Sequence, residues 1–107
     1  MKIAITANGS DINAALDPRF GRAANFLMVD SETEEFEILD NAQNLNATQG
    51  AGIQAAQNVI QAGAQAVITG NCGPKAFRTL GAANIKVFLS SAGTVKEALK
   101  EFKDGKL

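Results

Sequence analysis

The chain has 107 residues, 46% of them apolar and 20% charged, with a formal net charge of -1, which is the make-up of one globular domain around a single hydrophobic core. Ten Lys and Arg against eleven Asp and Glu give no nucleic-acid footprint, and no window nears the roughly 18 apolar residues of a membrane span. Histidine, tyrosine and tryptophan are absent and cysteine occurs once, which excludes histidine general-base catalysis, a Ser/His/Asp triad, a structural zinc site and an internal disulfide in one chain acting alone.

The start, MKIAITANG, lacks the pattern of a secretory signal. A lone cysteine suits a reducing compartment, so a cytoplasmic location is expected. Residues 2–7 are a short apolar run with Ile3 and Ile5 and read as a buried first strand. Residues 8–25 carry Gly, Asp, Asn and Pro without period and read as a long loop, a feature that is uncommon in a compact domain and often functional. Apolar runs at 26–29 and 36–39 flank an acidic connection and suggest an antiparallel hairpin. Its acids Glu32, Glu34, Glu35 and Glu37 read as a solvated tip that discourages edge pairing rather than as an acidic site.

After a polar link over 41–49, the spacing turns helical. Ile53, Ala56, Val59 and Ile60 share one face, and Gly63 is placed as a C-terminal stop. Residues 66–69 then read as a strand, 74–80 as a helix followed by Gly81, and 85–89 as another strand. The last helix has the clearest signal: Thr94 and Glu97 form a T-x-x-E capping box, and Val95, Ala98, Leu99 and Phe102 recur at helical spacing before Gly105.

Strand and helix alternation in the second half predicts parallel strands joined by right-handed crossovers, and the hairpin adds one antiparallel strand. The expected fold is α/β: a mixed five-stranded sheet between helices, forming one domain over 1–107. Ligands in such sheets collect at the carboxyl ends of the parallel strands. The loops at 8–25, 70–73 and 90–93 leave those ends and are expected to share one face.

The single thiol lies in GNCGPKAF, residues 70–77. Pro74 suits the first position of a helix, so Cys72 stands near a helix start, where the dipole and Lys75 would favour the thiolate that ligates metals. The alternative is a small buried side chain at a tight turn. Gly70 and Gly73 allow a sharp turn and close approach to free N–H groups, which suits an anion, although any strand-to-helix turn uses glycines. Residues 50–55 match G-x-G-x-x-A but follow a long link rather than a tight strand-to-helix turn, which argues against a dinucleotide. In the long loop, Arg19 and Arg22 flank Phe20 and Gly21. Either they hold an anionic ligand, or they staple the loop down with Asp17 paired to an arginine and Phe20 buried as a plug.

The series Asp17-Pro18-Arg19-Phe20-Gly21-Arg22-Ala23, Phe26, Asp30, Gly50-x-Gly52-Ile53-x-Ala55-Ala56, Ala66-Val67-Ile68-x-Gly70-x-x-Gly73-Pro74-x-Ala76, Gly93-Thr94-Val95-x-Glu97-Ala98 and Gly105-x-Leu107 closely resembles the dinitrogenase iron-molybdenum cofactor biosynthesis family over nearly the whole chain. The resemblance implies a three-layer α/β/α, ribonuclease-H-like fold. It also implies a non-enzymatic accessory role, like that of a nitrogenase accessory factor, in binding or carrying the iron-molybdenum cofactor, its precursor or a related anionic metal–sulfur cluster. Together with the thiol near a helix start and the loop arginines, this leads us to expect Arg19, Arg22, Gly70, Asn71, Cys72, Gly73 and Lys75 as contacts, with Cys72 supplying the sulfur contact to the metal. This chain departs from relatives that carry His before the first helix, having Asn46-Ala47-Thr48-Gln49, and from those with Asn where Lys75 stands. The first change removes one implied ligand, and the second adds attraction for an anion.

A ribonuclease-H-type enzyme is disfavoured because its metal-holding acids usually include one on the first strand, and residues 2–7 contain none. The other alternative is a protein-interaction module with no cluster of its own. Cofactor-assembly proteins are the implied partners, with no nucleic acid or membrane, and one cysteine per chain leaves a monomer or a homodimer as the available geometries.

Overall fold

The computed structural model describes residues 1–41, 44 and 50–107. The elements follow in the expected order: β1 (Lys2–Ala7), β2 (Asn25–Asp30), β3 (Phe36–Asp40), α1 (Ala51–Gln61), β4 (Ala66–Thr69), α2 (Pro74–Ala82), β5 (Lys86–Leu89) and α3 (Val95–Lys103). They build a mixed five-stranded sheet in the order β3-β2-β1-β4-β5. Strand β2 is antiparallel to both β1 and β3, whereas β1, β4 and β5 are parallel. One strand of the five therefore runs against the rest.

Strand β1 is central, and Ile3 to Ala7 are all fully buried. Its apolar residues Ile3, Ala4, Ile5 and Ala7, interrupted only by Thr6, reflect cover on both faces. On one face Ala4, Phe26, Met28 and Val67 pack with Ala55, Ala56 and Val59 of α1 and Ala76 and Leu80 of α2. On the other, Ile3, Ile5, Leu27, Val29 and Ile68 pack with Val95, Ala98 and Leu99 of α3 and with Leu16 of the long loop. The result is the expected three-layer α/β/α architecture. Among the described residues no helix is long and apolar enough to cross a membrane.

Local signals account for most boundaries. Gly63, at φ 90°, turns the chain after α1, and its N–H donates to the Ile60 carbonyl at 3.0 Å. At α3 the Thr94 hydroxyl oxygen accepts from the Glu97 amide at 3.1 Å. Helix α2 runs through Gly81 to Ala82, and Asn84 at φ 62° makes the left-handed turn instead. Asparagine tolerates that region because its short amide bonds locally.

The buried face of α1 is Ala51, Ala55, Ala56 and Val59, with Ile53 only partly covered. Small residues win there because α1 and α2 pack closely: a Cβ on Gly52 would stand 3.3 Å from the Ala76 Cβ. The acids at the β2–β3 tip are exposed, and the Asp30 carboxylate caps the turn by accepting from the amides of Glu32 and Thr33. Of the link expected over 41–49, only Asn41 and Asn44 fall within the described residues; the tract at 46–49 lies outside them.

Candidate functional site

The long loop closes onto the carboxyl end of the sheet through short backbone bridges, pairing Ala7 with Leu16, Ala15 with Thr94 and Arg19 with Asn71. The Leu16 N–H also donates to the Gly93 carbonyl at 3.2 Å. The three loops expected to meet do so. Underneath, Thr6 at the end of β1 donates its hydroxyl to the Asp17 carbonyl at 2.7 Å, and Thr69 at the end of β4 lies 3.0 Å from that hydroxyl.

Phe20 is the plug. It is 2% exposed, and its ring meets Phe26 at a centroid distance of 5.2 Å. Next to it, Gly21 lies against the start of α1: a Cβ there would stand 2.8 Å from both the Gly52 N and Cα. Pro18 covers Gly70 just as closely, at 2.6 Å from Pro18 Cα to a Cβ built on Gly70. These two glycines are required by backbone contact, which no side chain fits.

The close approach leaves a groove of about 370 Å³ lined by Gly21, Gly50, Gly52, Ile53, Gly73, Pro74, Lys75 and Ala76. Both α1 and α2 begin on it. Their N-caps, Gly50 and Gly73, offer no side-chain hydrogen bond, and neither first turn holds an acid. The first helical N–H groups have no partner within the helix, so two positive dipole ends and the exposed Lys75 bear on one space. That arrangement attracts an anion.

The expected contacts divide around this groove. Gly73 and Lys75 line it. Asn71 is exposed, and Gly70 is partly covered by Pro18. Arg22 donates to the Asn44 carbonyl at 3.5 Å. Arg19 is held by Asp17, whose carboxylate receives its Nε at 3.2 Å and its Nη2 at 3.3 Å, and this pairing raises the guanidinium pKa above its ordinary value. The stapling alternative for Asp17 and Phe20 is therefore the one realised at Arg19.

Cys72 is half-buried and packs against the core beneath α1 and α2. The expected thiolate is not what this setting favours, because burial pushes the thiol pKa up from 9.0. Helix α2 starts at Pro74 behind the Gly73 cap. Cys72 therefore precedes the first turn, and the dipole fades over that distance.

Gly21, Gly50, Gly52 and Ile53 also line the groove and are not among the contacts expected from the sequence. The G-x-G-x-x-A spacing at 50–55 is the signal that marks them, although it does not fit a dinucleotide. Among the described residues no three His, Cys, Asp or Glu side chains gather to hold a metal ion. The donors at the groove are amides and one ammonium, which recognise a preformed anion rather than a bare cation.

Residues 1–105 match the model of the dinitrogenase iron-molybdenum cofactor family. The chain belongs to this family. Among solved structures, the apo orange protein of Desulfovibrio gigas is 45% identical, with a TM-score of 0.94 over 98% of this chain and 88% of that one. A NifB candidate from Thermotoga is 33% identical, with a TM-score of 0.85 over 98% of this chain and 89% of its own. An uncharacterized protein of Methanocaldococcus jannaschii is 34% identical across 100% of this chain and 89% of its own length. Against these similar proteins, the three-layer fold stands as expected.

Proposed function

We propose that this chain is a non-enzymatic accessory protein that binds and carries an anionic metal–sulfur cluster: the iron-molybdenum cofactor, its precursor or a related molybdenum or iron cluster. Membership of the family supports this reading, as does the likeness to the orange protein. The observation that carries it is the meeting of two helix starts, each with a glycine N-cap that makes no side-chain hydrogen bond and a first turn free of acids, at one groove beside Lys75. A sulfur-rich polyanion is large, soft and weakly hydrated. Glycine edges let it approach the amides, and Ile53 offers apolar contact.

Cys72 stands beside this groove rather than in its lining. Its sulfur would reach a cluster from the Asn71–Gly73 turn, losing its proton on coordination. Anaerobic titration with tetrathiomolybdate, and with an iron–molybdenum–sulfur cluster, should produce saturable visible absorption. Lys75→Glu should weaken it on the order of tenfold, the effect of about 1.4 kcal/mol. Binding that ignores both Lys75→Glu and a Gly52→Val block of the groove would remove the proposal.

One feature favours a second reading, that of an interaction module. Phe77 and Leu89 are 55% and 58% exposed, and a groove of about 560 Å³ between α2 and the edge strand β5 includes Phe77, Val87 and Phe88. Lys86 lines it, α2 also carries Lys75 and Arg78, and neither α2 nor β5 contains an acid. A cluster-free chain that binds an assembly protein, and loses that binding on Phe77→Glu, would favour this reading over the first.

A further inference from the structure

Among the described residues Asp17 is the one ionisable side chain that is fully buried. Its carboxylate accepts from the Arg19 backbone N–H at 2.9 Å, from Nε at 3.2 Å and from Nη2 at 3.3 Å. The pair is lopsided, with 54% of the Arg19 side chain exposed against 1% of Asp17. A buried carboxylate is tolerated only when charge and hydrogen bonds answer it, so the arginine is tied to the loop's interior.

We infer that Asp17 is a positioning residue for the anion groove and that Arg19 serves as its partner, not as a contact of the bound anion. The geometry runs outward from the carboxylate in both directions. The Asp17 N–H donates to the Thr6 carbonyl at 3.0 Å, which fixes the loop to the end of β1. The Arg19 backbone bridges Asn71, the residue before Cys72, and Pro18 sits on Gly70. Beyond Phe20 the same loop brings Gly21 against Gly52 in the groove wall. One carboxylate therefore sets the turn that carries the thiol and the loop that keeps the two helix starts open.

This inference rests on the anion-binding reading of the same groove, and the sign of a charge effect separates the two. Asp17→Asn removes one negative charge from the loop whose Gly21 lines the groove, so simple electrostatics tightens binding of an anion. Positioning predicts the reverse: tetrathiomolybdate should bind on the order of tenfold more weakly, as when an outer partner of a metal site is lost. Arg19→Lys keeps the charge but loses the planar fork, and should weaken binding in the same direction. Binding would be followed by equilibrium dialysis on the full chain, with circular dichroism and amide NMR spectra checking the fold.

In Arg19→Gln the salt dependence of binding should match that of the unaltered protein, whereas in Lys75→Gln it should flatten. Tighter binding by Asp17→Asn, unchanged affinity in Arg19→Lys, or a lower thermal midpoint with no change in Kd would each overturn the inference. Should Asp17→Asn not fold, Arg19→Lys decides. Failure of the unaltered chain to bind tetrathiomolybdate or the cluster is a different result, and it would remove the anion reading together with this one.

Discussion

Gly21 and Gly52 meet backbone to backbone: a Cβ added to Gly21 would stand 2.8 Å from the Gly52 amide nitrogen. The contact joins the long loop to the first turn of α1 and forms one wall of the groove. Gly21→Ala should push the two apart, because main-chain atoms cannot yield as a flexible side chain does. We expect a loss of about 1–3 kcal/mol in urea unfolding, together with weaker tetrathiomolybdate binding. An unaltered midpoint and affinity would mean that the loop does not seat on α1 in solution.

Cys72 should titrate late. Burial raises its pKa from 9.0, so at neutral pH the folded protein holds a thiol, and alkylation by iodoacetamide should be slow until well into the alkaline range. The linkage has a definite sign. The folded state binds the proton more tightly than the unfolded state, so the contribution to stability is fully present below the ordinary thiol pKa. It is lost as the pH rises through the higher folded value. Rapid alkylation at pH 7 would contradict the burial.

Phe20 should matter far more than its place in a loop suggests. It is 2% exposed and stacks in a tilted contact on Phe26. Phe20→Ala should cost about 3–5 kcal/mol, measured by denaturant unfolding. A cost under about 0.5 kcal/mol, the range of ordinary surface substitutions, would show that the loop packs differently.

The α3 cap offers a local control. The Thr94 hydroxyl accepts from the Glu97 amide and donates to the Glu97 carboxylate, each at 3.1 Å. Thr94→Ala should lower stability by about 1 kcal/mol and leave tetrathiomolybdate affinity unchanged, since α3 lies on the opposite face of the sheet from α1 and α2. A binding defect in this variant would mean that the groove senses general stability rather than its own geometry.

Short-range chemistry was legible in the residues themselves. The Thr94–Glu97 box, Gly63 beyond α1, Pro74 at the start of α2 and the apolar run of β1 each depend on neighbours within about one turn or on cover from both faces. The order and type of the elements given above follow from signals of this kind. Their alternation also implied that the loops at 8–25, 70–73 and 90–93 would converge.

Which groups meet inside that convergence was decided only by the tertiary structure. Spacing allowed either arginine to pair with Asp17, and burial of the carboxylate at the end of β1 selected Arg19. Spacing also put Cys72 near a helix start, but packing against the core raised its pKa instead of lowering it. The glycines at 50 and 52 read locally as a helix opening, and they became a groove only when Gly21 and Gly73 arrived from distant segments. A helix dipole or a hydrogen bond acts over a few ångströms, so its target is set by where the folded chain brings its partners rather than by their order along it.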